Sequence, residues 1–243
     1  MTKDIKHWYS SWFDAPYYHI LYKGRDYKEG QSFMETLTSY LNIPEDGTIL
    51  DLACGKGRHS VYLNRIGYNV VGLDLSPQSI VSAKAYENET LHFDVHDMSK
   101  PYIQQFDVVL NLFTSFGYFE DNEDNLNTIK AIKANLKPNG IGVIDFMNSE
   151  FVKDNLKPDE DKTVDGINFK LKRSLIDGYV VKDISFTTDG QDFNFYERVK
   201  ALTLDDFKTL FKAANVDLID VFGDYKLNKF NNKTSERLIM IFM

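Results

Sequence analysis

The stretch ILDLACGKGRHS, residues 49–60, decides the fold. Its apolar start ends at Asp51, which is typical of a buried strand, and Gly55 and Gly57 follow within a few residues. Glycine lets the backbone turn sharply and lets a ligand approach it closely. We therefore predict a strand, then a loop on which a ligand lies, then a helix that begins at Arg58.

The same alternation of strand and helix continues along the chain. Apolar, β-prone segments indicate strands at 48–52, 68–75, 89–98, 106–113 and 141–147, and helical patterns lie at 58–66, 77–86 and 126–136. Ser76 and Pro77 are a typical helix start, because serine caps free amides and proline suits the first turn. Repeated strand-helix-strand units favour parallel pairing with right-handed crossovers, so the predicted fold is α/β with a doubly wound, mostly parallel sheet.

This rhythm changes beyond residue 150. Asp177-Gly178 and Asp189-Gly190 each lie between β-prone runs, which predicts a three-stranded antiparallel meander within residues 167–202. A capped helix from Thr203 and two strands then end the chain. We expect one domain over 1–243, divided into an N-terminal helical cap (1–45), a ligand-binding core (46–150), an inserted antiparallel lid (165–202) and a C-terminal completion of the sheet (203–243).

Composition excludes several classes of function. The formal charge is −8 and the pI is near 5.2, and no run of basic residues is evident, so nucleic acid and anionic membrane are disfavoured partners. Cys54 is the only cysteine, which removes any intramolecular disulfide and favours the cytoplasm. The five histidines do not show metal-ligand spacing, so no metal site is expected. No apolar run is long enough for a membrane helix.

The motifs together resemble the class I S-adenosylmethionine-dependent methyltransferases. The likeness rests on DLACGKG at 51–57, Asp74 at the end of the next strand, HFDVHDM at 92–98, FDVVLNLFTSFGYF at 106–119 and LKPNGIGVIDF at 136–146. It implies a seven-stranded Rossmann-like sheet, S-adenosyl-L-methionine as cofactor, and methyl transfer as the activity. It also implies cofactor contacts from Asp51, Ala53, Gly55, Gly57, Asp74, Leu75, Asp97, Met98, Asn111 and Phe113, with Tyr17 and Arg25 added by an N-terminal lid.

The chemistry of the cofactor agrees with this resemblance. A ribose diol offers two donors, so the carboxylate of Asp74 can accept both in charge-assisted hydrogen bonds. The cofactor carries a sulfonium cation and no phosphate, so acidic residues around the loop are tolerable. A dinucleotide site is the competing interpretation, because Gly55-x-Gly57-x-x-Ser60 is close to the Rossmann fingerprint. Ser60 stands where that fingerprint has glycine or alanine, and the later motifs fit the methyltransferases better.

For the acceptor, the sequence favours a small molecule methylated by in-line transfer. An RNA-modifying enzyme and a non-catalytic cofactor-binding module are the alternatives, and no residue stands out as a catalytic base. The resemblance points to the loop after the fourth strand as the acceptor side, with Phe113 and Tyr118 facing it. Basic residues of the meander would suit an anionic acceptor or would simply form a solvated sheet face: Lys170, Lys172, Arg173, Arg198 and Lys200.

Overall fold

The computed structural model describes residues 8–24 and 27–243. The helices are α1 (Trp8–Phe13), α2 (Pro16–Leu21), α3 (Tyr27–Leu41), α4 (Arg58–Arg65), α5 (Pro77–Ala83), α6 (Asn122–Ala134), α7 (Ser149–Asn155) and α8 (Leu204–Ala214). The strands are β1 (Thr48–Leu52), β2 (Asn69–Asp74), β3 (Leu91–Val95), β4 (Phe106–Asn111), β5 (Leu136–Met147), β6 (Asp159–Val164), β7 (Ile167–Ile176), β8 (Tyr179–Thr188), β9 (Gln191–Lys200), β10 (Leu218–Phe222) and β11 (Arg237–Phe242).

Seven strands form the large sheet in the order β10-β11-β5-β4-β1-β2-β3. Strands β1 to β5 pair in parallel, whereas β11 runs antiparallel to both β5 and β10. This confirms the doubly wound, mostly parallel sheet. The chain continues from β1 to β2 on one side, and β4 lies on the other side of β1. The switch point in strand order, where open α/β sheets bind their ligands, is therefore between β1 and β4.

Apolar side chains cover both faces of this sheet. On one face, Leu50 and Val109 pack with residues of α6 and α8. On the other face, Ile49 and Val108 pack with residues of α3, α4 and α5. Because successive side chains of a strand point to opposite faces, β1 and β4 are apolar nearly throughout, which is what made them recognisable as buried strands.

The inserted sheet has four strands, not three, in the order β6-β7-β8-β9. The strand missed by sequence reasoning, β6, has the sequence DEDKTV and lies at an edge of the sheet, so it lacks the alternation of apolar and polar residues. The turn that joins it to β7 is Asp165-Gly166, with positive φ at both residues, as in the two predicted Asp-Gly hairpins. Helices α1 and α2 pack on this small sheet, where Trp12 and Leu21 meet Phe169 and Ile184.

Several element boundaries also differ from expectation. The predicted helix over 77–86 ends at Ala83 and continues as a 3-10 turn over Lys84–Tyr86. Leu136 begins β5, rather than ending the helix before it, because the segment after α6 passes directly into the sheet. Helix α7 was not predicted; it is short, and Asn148 caps it. Within the described residues, none of the helices combines the length and the apolar character needed to cross a membrane.

Candidate functional site: the carboxyl edge of the large sheet

The glycine loop after β1 runs through three residues with left-handed backbone. The φ angles are 61° at Ala53, 57° at Gly55 and 76° at Gly57. The loop is held to β2, because the amide of Cys54 donates to the carbonyl of Leu73 at 3.0 Å. Only glycine adopts this conformation without steric strain, so Ala53 is a strained position in the loop, beyond being a small substitute for glycine.

The two glycines of the loop have different roles. A Cβ built on Gly57 would lie 2.5 Å from two carbon atoms of the Phe93 ring, so this glycine makes room for packing inside the protein. A Cβ built on Gly55 would meet no atom within 4 Å. The open side of the loop, where a ligand can approach the backbone, is therefore at Gly55.

Asp51 lies beneath the glycine loop and is 4% exposed. Its carboxylate accepts a hydrogen bond from the hydroxyl of Ser60 at 2.6 Å. Burial raises the pKa of Asp51 to about 6, although the hydrogen bond from Ser60 opposes the shift. Ser60, the residue that departs from the dinucleotide fingerprint, thus serves to hold this aspartate under the first turn of α4.

Asp74 joins the loops that follow β1 and β2. One carboxylate oxygen accepts from the amide of Gly55 at 2.8 Å, and the other accepts from the amide of Ser76 at 2.8 Å. Burial raises the pKa of Asp74, and these two backbone hydrogen bonds oppose the shift. Each carboxylate oxygen still has a lone pair for a second donor. The neighbouring Leu75 is 45% exposed, which leaves an apolar surface beside the carboxylate.

Asp97 and Met98 follow β3 farther along the same edge, where Met98 lies against Asn111 of β4. The carboxylate of Asp97 accepts from the amide and the hydroxyl of Ser99 at 3.0 and 2.8 Å. The side-chain amide of Asn111 is completely buried and lies 3.4 Å from the carbonyl of Leu52 and 3.8 Å from the sulfur of Met98. Its Oδ1 has no hydrogen-bond partner among the residues that the structure describes.

Phe113 begins the loop after β4. Its ring stacks on the ring of His59, in the first turn of α4, with 4.3 Å between the ring centres. Phe113 and Thr114 both have left-handed backbone, with φ of 57° and 62°. The ring of Phe113 therefore joins the loop after β4 to the helix that follows the glycine loop.

The N-terminal segment reaches the glycine loop through residues other than those predicted. The ring of Tyr17 packs on Phe186 and Phe193 of the small sheet, at 4.8 and 4.7 Å between ring centres. No contact in the described part of the chain joins Tyr17 to the glycine loop, and its cofactor contact stays a prediction. Arg25 lies outside the described residues, so the structure says nothing of its predicted contact.

Asp14 and His19 are the residues of this segment that sequence reasoning missed. The hydroxyl of Ser76 donates to the carboxylate of Asp14, next to Asp74. Burial and the charge of Lys56 lower the pKa of His19 to about 4, with Asp14 opposing the shift, so this imidazole is neutral at pH 7. Both are polar residues in an otherwise aromatic stretch, and that contrast was the available signal.

Tyr118 connects the loop after β4 to the N-terminal helices. Its hydroxyl donates to the carbonyl of Thr114 at 2.6 Å, and its ring lies 5.4 Å from Trp8 and 5.6 Å from Phe13 between ring centres. The aromatic residues around this loop thus join α1 to the carboxyl edge of the large sheet.

The basic residues of the small sheet have other uses. Arg198 pairs with Glu120 at 2.8 Å, Lys200 donates to Asn122 at 2.6 Å, and Arg173 pairs with Glu160. Lys170 and Lys172 are exposed. This arrangement favours the solvated, ion-paired interpretation of these residues over an anion-binding face.

Cys54 and the acidic groups near it do not form a nucleophile or a metal centre. Burial, and then the charges of Asp51 and Asp74, raise the pKa of the Cys54 thiol, which is therefore protonated at pH 7. In the portion of the chain that the structure describes, no group of three or more histidine, cysteine, aspartate and glutamate side chains is placed to hold a metal ion.

Comparison with solved structures places this architecture among the Rossmann-like methyltransferases. An S-adenosylmethionine-dependent methyltransferase from Clostridium acetobutylicum superposes with a TM-score of 0.78 at 23% identity, over 93% of this chain and 95% of that one. The CcbJ methyltransferase of Streptomyces caelestis has a TM-score of 0.78 at 12% identity, over 98% of both chains. At these identities the likeness establishes the fold class.

Sequence comparison adds the family. A family model described as a methyltransferase domain matches residues 49–140. The putative methyltransferase YqeM of Bacillus subtilis is 28% identical over 198 residues, covering 76% of this chain and 79% of that protein. Glycine/sarcosine N-methyltransferase of Aphanothece halophytica is 31% identical over 145 residues, or 56% of this chain and about half (52%) of that protein. These comparisons show a methyltransferase domain, and the chain is similar to class I methyltransferases that use S-adenosylmethionine.

The residues at the carboxyl edge fit this cofactor. Asp74 has lone pairs for a ribose diol, Gly55 offers open backbone, and Leu75 offers an exposed apolar side chain. The buried Oδ1 of Asn111, which lacks a partner among the described residues, lies at the same edge. No phosphate-binding group is needed for S-adenosylmethionine, and the aspartates around the loop agree with that.

Proposed function

We propose that this protein methylates an amine nitrogen of a small molecule. Observations of two kinds support the proposal: the enclosed, aromatic surroundings of the loop after β4, and the activities printed for relatives. Besides the glycine/sarcosine enzyme, an amino-sugar N,N-dimethyltransferase of Streptomyces venezuelae is 29% identical over 135 residues, covering 56% of that protein. The enclosure of the loop by α1 is the observation that carries the small-molecule acceptor, and the activities printed for the relatives support an amine.

The cofactor side of the proposal assigns roles to the residues of the carboxyl edge. S-adenosylmethionine, when bound, would supply a methyl group on a sulfonium sulfur, which would leave as the neutral thioether of S-adenosylhomocysteine. Asp74 accepts the ribose hydroxyls, and Gly55 lets the cofactor lie on the loop backbone. Asp97 and Met98 lie on the loop after β3, where the resemblance puts the adenine ring, and Asn111 ties that loop to the ends of β1 and β4.

The acceptor side requires alignment more than acid-base chemistry. An amine that has lost its proton already carries the lone pair for in-line attack, so the protein has to hold the nitrogen on the axis of the methyl–sulfur bond and exclude water. Tyr118, Trp8 and Phe13 supply apolar, water-excluding surface beside Thr114. We assign no catalytic base, and we propose that the small sheet, with α1 and α2, is the lid that selects the acceptor.

A small acceptor suits the surface better than RNA. The net charge is −8, and the basic residues of the small sheet are ion-paired, hydrogen-bonded or dispersed in solvent. A polyanion requires a continuous basic surface, and its binding would depend steeply on salt. A small molecule needs only a confined site at the switch point.

Thermal unfolding with S-adenosylmethionine, S-adenosylhomocysteine or NADH in excess is the first test. A ligand that binds the folded protein raises its apparent stability, and we expect the two sulfur ligands alone to do so. Formation of S-adenosylhomocysteine is then measured with glycine, sarcosine, a nucleotide-linked amino sugar and total RNA as acceptors. Turnover with an amine supports the proposal, turnover with RNA alone contradicts it, and binding without turnover on any acceptor favours a non-catalytic module.

A further inference from the structure

We infer that Asp145 and Arg237 are positioning residues for methyl transfer, because together they hold the loop after β4 in its left-handed conformation. The inference rests on the proposed function, which places the methyl acceptor beside that loop. Asp145 lies near the end of β5, and Arg237 is the first residue of the neighbouring β11. Neither residue was singled out from the sequence.

The left-handed backbone conformation at Phe113 and Thr114 must be stabilised by other residues. Two consecutive residues with side chains have φ of 57° and 62° there. This region is unfavourable for residues with a Cβ, and more so for a β-branched residue such as Thr114. Left to themselves, these two residues would relax to an ordinary conformation, so the surrounding structure must impose the one observed.

Asp145 and Arg237 make three hydrogen bonds to these two residues. A carboxylate oxygen of Asp145 accepts from the amide of Phe113 at 2.8 Å, and its main-chain carbonyl accepts from the amide of Thr114 at 3.0 Å. The other carboxylate oxygen accepts from Nε of Arg237 at 2.8 Å. Nη2 of the same arginine donates to the hydroxyl of Thr114 at 3.0 Å. Both strained residues are thus bonded to one ion pair.

The aspartate of the ion pair is buried and the side chain of Arg237 is 19% exposed, which makes a role in stability alone a poor explanation. The side chain of Asp145 is completely buried, and burial raises its pKa even though Arg237 opposes the shift. Removing charges from water is unfavourable, and apolar residues of similar size often fold at least as well as a buried ion pair. A directional pair at this position is better explained by the conformation it enforces on its neighbours.

That conformation bears on the proposed site because of where the loop lies. The switch point has the glycine loop on one side and the loop after β4 on the other. Phe113 stacks on His59, and Tyr118 bonds to the carbonyl of Thr114 and packs on Trp8. A shift at Phe113 or Thr114 would move the acceptor side relative to the cofactor side.

Asp145→Asn is the first variant for the test, because it keeps the shape and removes the charge. We expect kcat to fall about 10- to 100-fold, as displacement of about 1 Å does in aligned reactions, while the Kd for S-adenosylhomocysteine changes less than about threefold. Arg237→Met should lower kcat in the same direction. Asp107→Asn is the matched control: it changes another ion-paired aspartate of the same sheet, far from the loop, and should leave kcat unchanged.

Thr114→Gly separates positioning from folding. Glycine adopts the left-handed conformation freely, so this variant should fold at least as well as the parent, yet its looser loop should lower kcat. Asn139→Gly is its control, since Asn139 also has a positive φ (65°) but lies near the start of β5, at the opposite edge of the sheet. A purely structural role for the ion pair predicts normal kcat in Thr114→Gly and would contradict the inference.

Hydrogen exchange at the amides of Phe113 and Thr114 gives a readout that needs no acceptor. Asp145→Asn should speed exchange at these two amides while core strand amides stay protected; unchanged exchange overturns the inference. Loss of S-adenosylhomocysteine binding in parallel with kcat overturns it as well. Absence of turnover by the parent protein on every acceptor would instead contradict the proposed function, and the exchange result then decides the inference alone.

Discussion

At the amino edge of the large sheet, three donors surround the carboxylate of Asp107, whereas at the carboxyl edge Asp51 is buried and Asp74 is half-buried, each with fewer donors. Asp107 accepts from Nζ of Lys137 at 2.8 Å and from the amide and hydroxyl of Thr48 at 2.8 and 2.7 Å. Desolvation opposes these bonds, but together they lower the pKa of Asp107 to about 2. At the other edge, burial is the largest influence and raises the pKa of both aspartates.

The backbone conformation also differs between the two edges. At the amino edge the left-handed residues are isolated (Asn42, Gly67, Asn139 and Asn215), whereas at the carboxyl edge they lie close together in the glycine loop and in the loop after β4: Ala53, Gly55, Gly57, Phe113 and Thr114. Buried carboxylates with raised pKa and strained backbone are both unfavourable for folding, and both are typical of sites that bind ligands. One edge of the sheet therefore serves the stability of the fold, and the other carries the features of a site.

Asp74→Ala and Asp107→Ala are expected to break this comparison in opposite ways. Asp74→Ala should bind S-adenosylhomocysteine about 100-fold more weakly, or by about 3 kcal/mol, because it loses two charge-assisted hydrogen bonds to the ribose. Asp107→Ala should leave the affinity unchanged and lower Tm by a few degrees, since it removes bonds that only support the fold. Calorimetric titration and thermal unfolding of both variants measure the two effects.

Loss of affinity in Asp107→Ala, with normal affinity in Asp74→Ala, would contradict the assignment of binding to the carboxyl edge and of stability to the amino edge. Asp74 also accepts the amides of Gly55 and Ser76, so Asp74→Asn, which retains one acceptor oxygen, is measured beside the alanine variant to separate loss of the loop from loss of the ligand contact. Unchanged affinity in both would remove the ribose role from Asp74.

The large sheet and the glycine loop were predictable because their causes are local. Strands β1 and β4 are buried on both faces and appear as apolar runs, and Asp51, Gly55 and Gly57 follow at fixed spacing. Asp-Gly pairs have a strong intrinsic preference for tight hairpins, so two turns of the small sheet were found as well. Strand β6 was missed because its edge position leaves its side chains polar.

The contacts that complete the site were not predictable, because they join distant parts of the chain. Asp14 reaches Ser76 across 62 positions, and Asp145 reaches Arg237 across 92. No periodicity or spacing in the sequence encodes such pairs. The strain at Ala53 was hidden for a different reason: its size suits the loop, whereas its φ of 61° is visible only in the structure.

Gly57→Ala and Gly55→Ala should sharpen the distinction between packing and binding within one loop. At Gly57 the added methyl would lie 2.5 Å from the Phe93 ring, so we expect destabilisation of about 2 kcal/mol or more from overpacking and strain. At Gly55 the methyl meets no protein atom, so strain of about 1 kcal/mol is the only effect on folding.

The binding results for the same two variants should differ in the other direction. Gly55→Ala should weaken S-adenosylmethionine binding at least about tenfold, because its methyl group occupies the side from which a ligand approaches the loop. Gly57→Ala should bind nearly normally at temperatures where it is folded. Equal losses of affinity in both would mean that the loop moves as a unit, and the separate roles of the glycines would then be wrong.

The pH dependence of binding tests the carboxyl edge with the smallest expected effect. The pKa of Asp51 in the folded protein is raised to about 6, above its ordinary value, so the carboxyl group becomes charged as the pH passes through about 6. The charged form weakens the ligand-free fold, and this loss of stability develops between about pH 4 and about pH 6. A sulfonium cation near the loop would favour the charged form, whereas the neutral sulfur of S-adenosylhomocysteine would not.

The ratio of the two affinities therefore isolates the charge, because both ligands carry the same ribose, adenine and amino-acid groups. We expect binding of S-adenosylmethionine, relative to S-adenosylhomocysteine, to strengthen several-fold between about pH 5 and about pH 7.5. Asp51→Asn should flatten this dependence, because an amide does not titrate, while it keeps an acceptor for Ser60. A ratio that is flat in the parent protein would mean that the sulfonium does not sense Asp51, and the buried aspartate would then act only by holding the first turn of α4 under the loop.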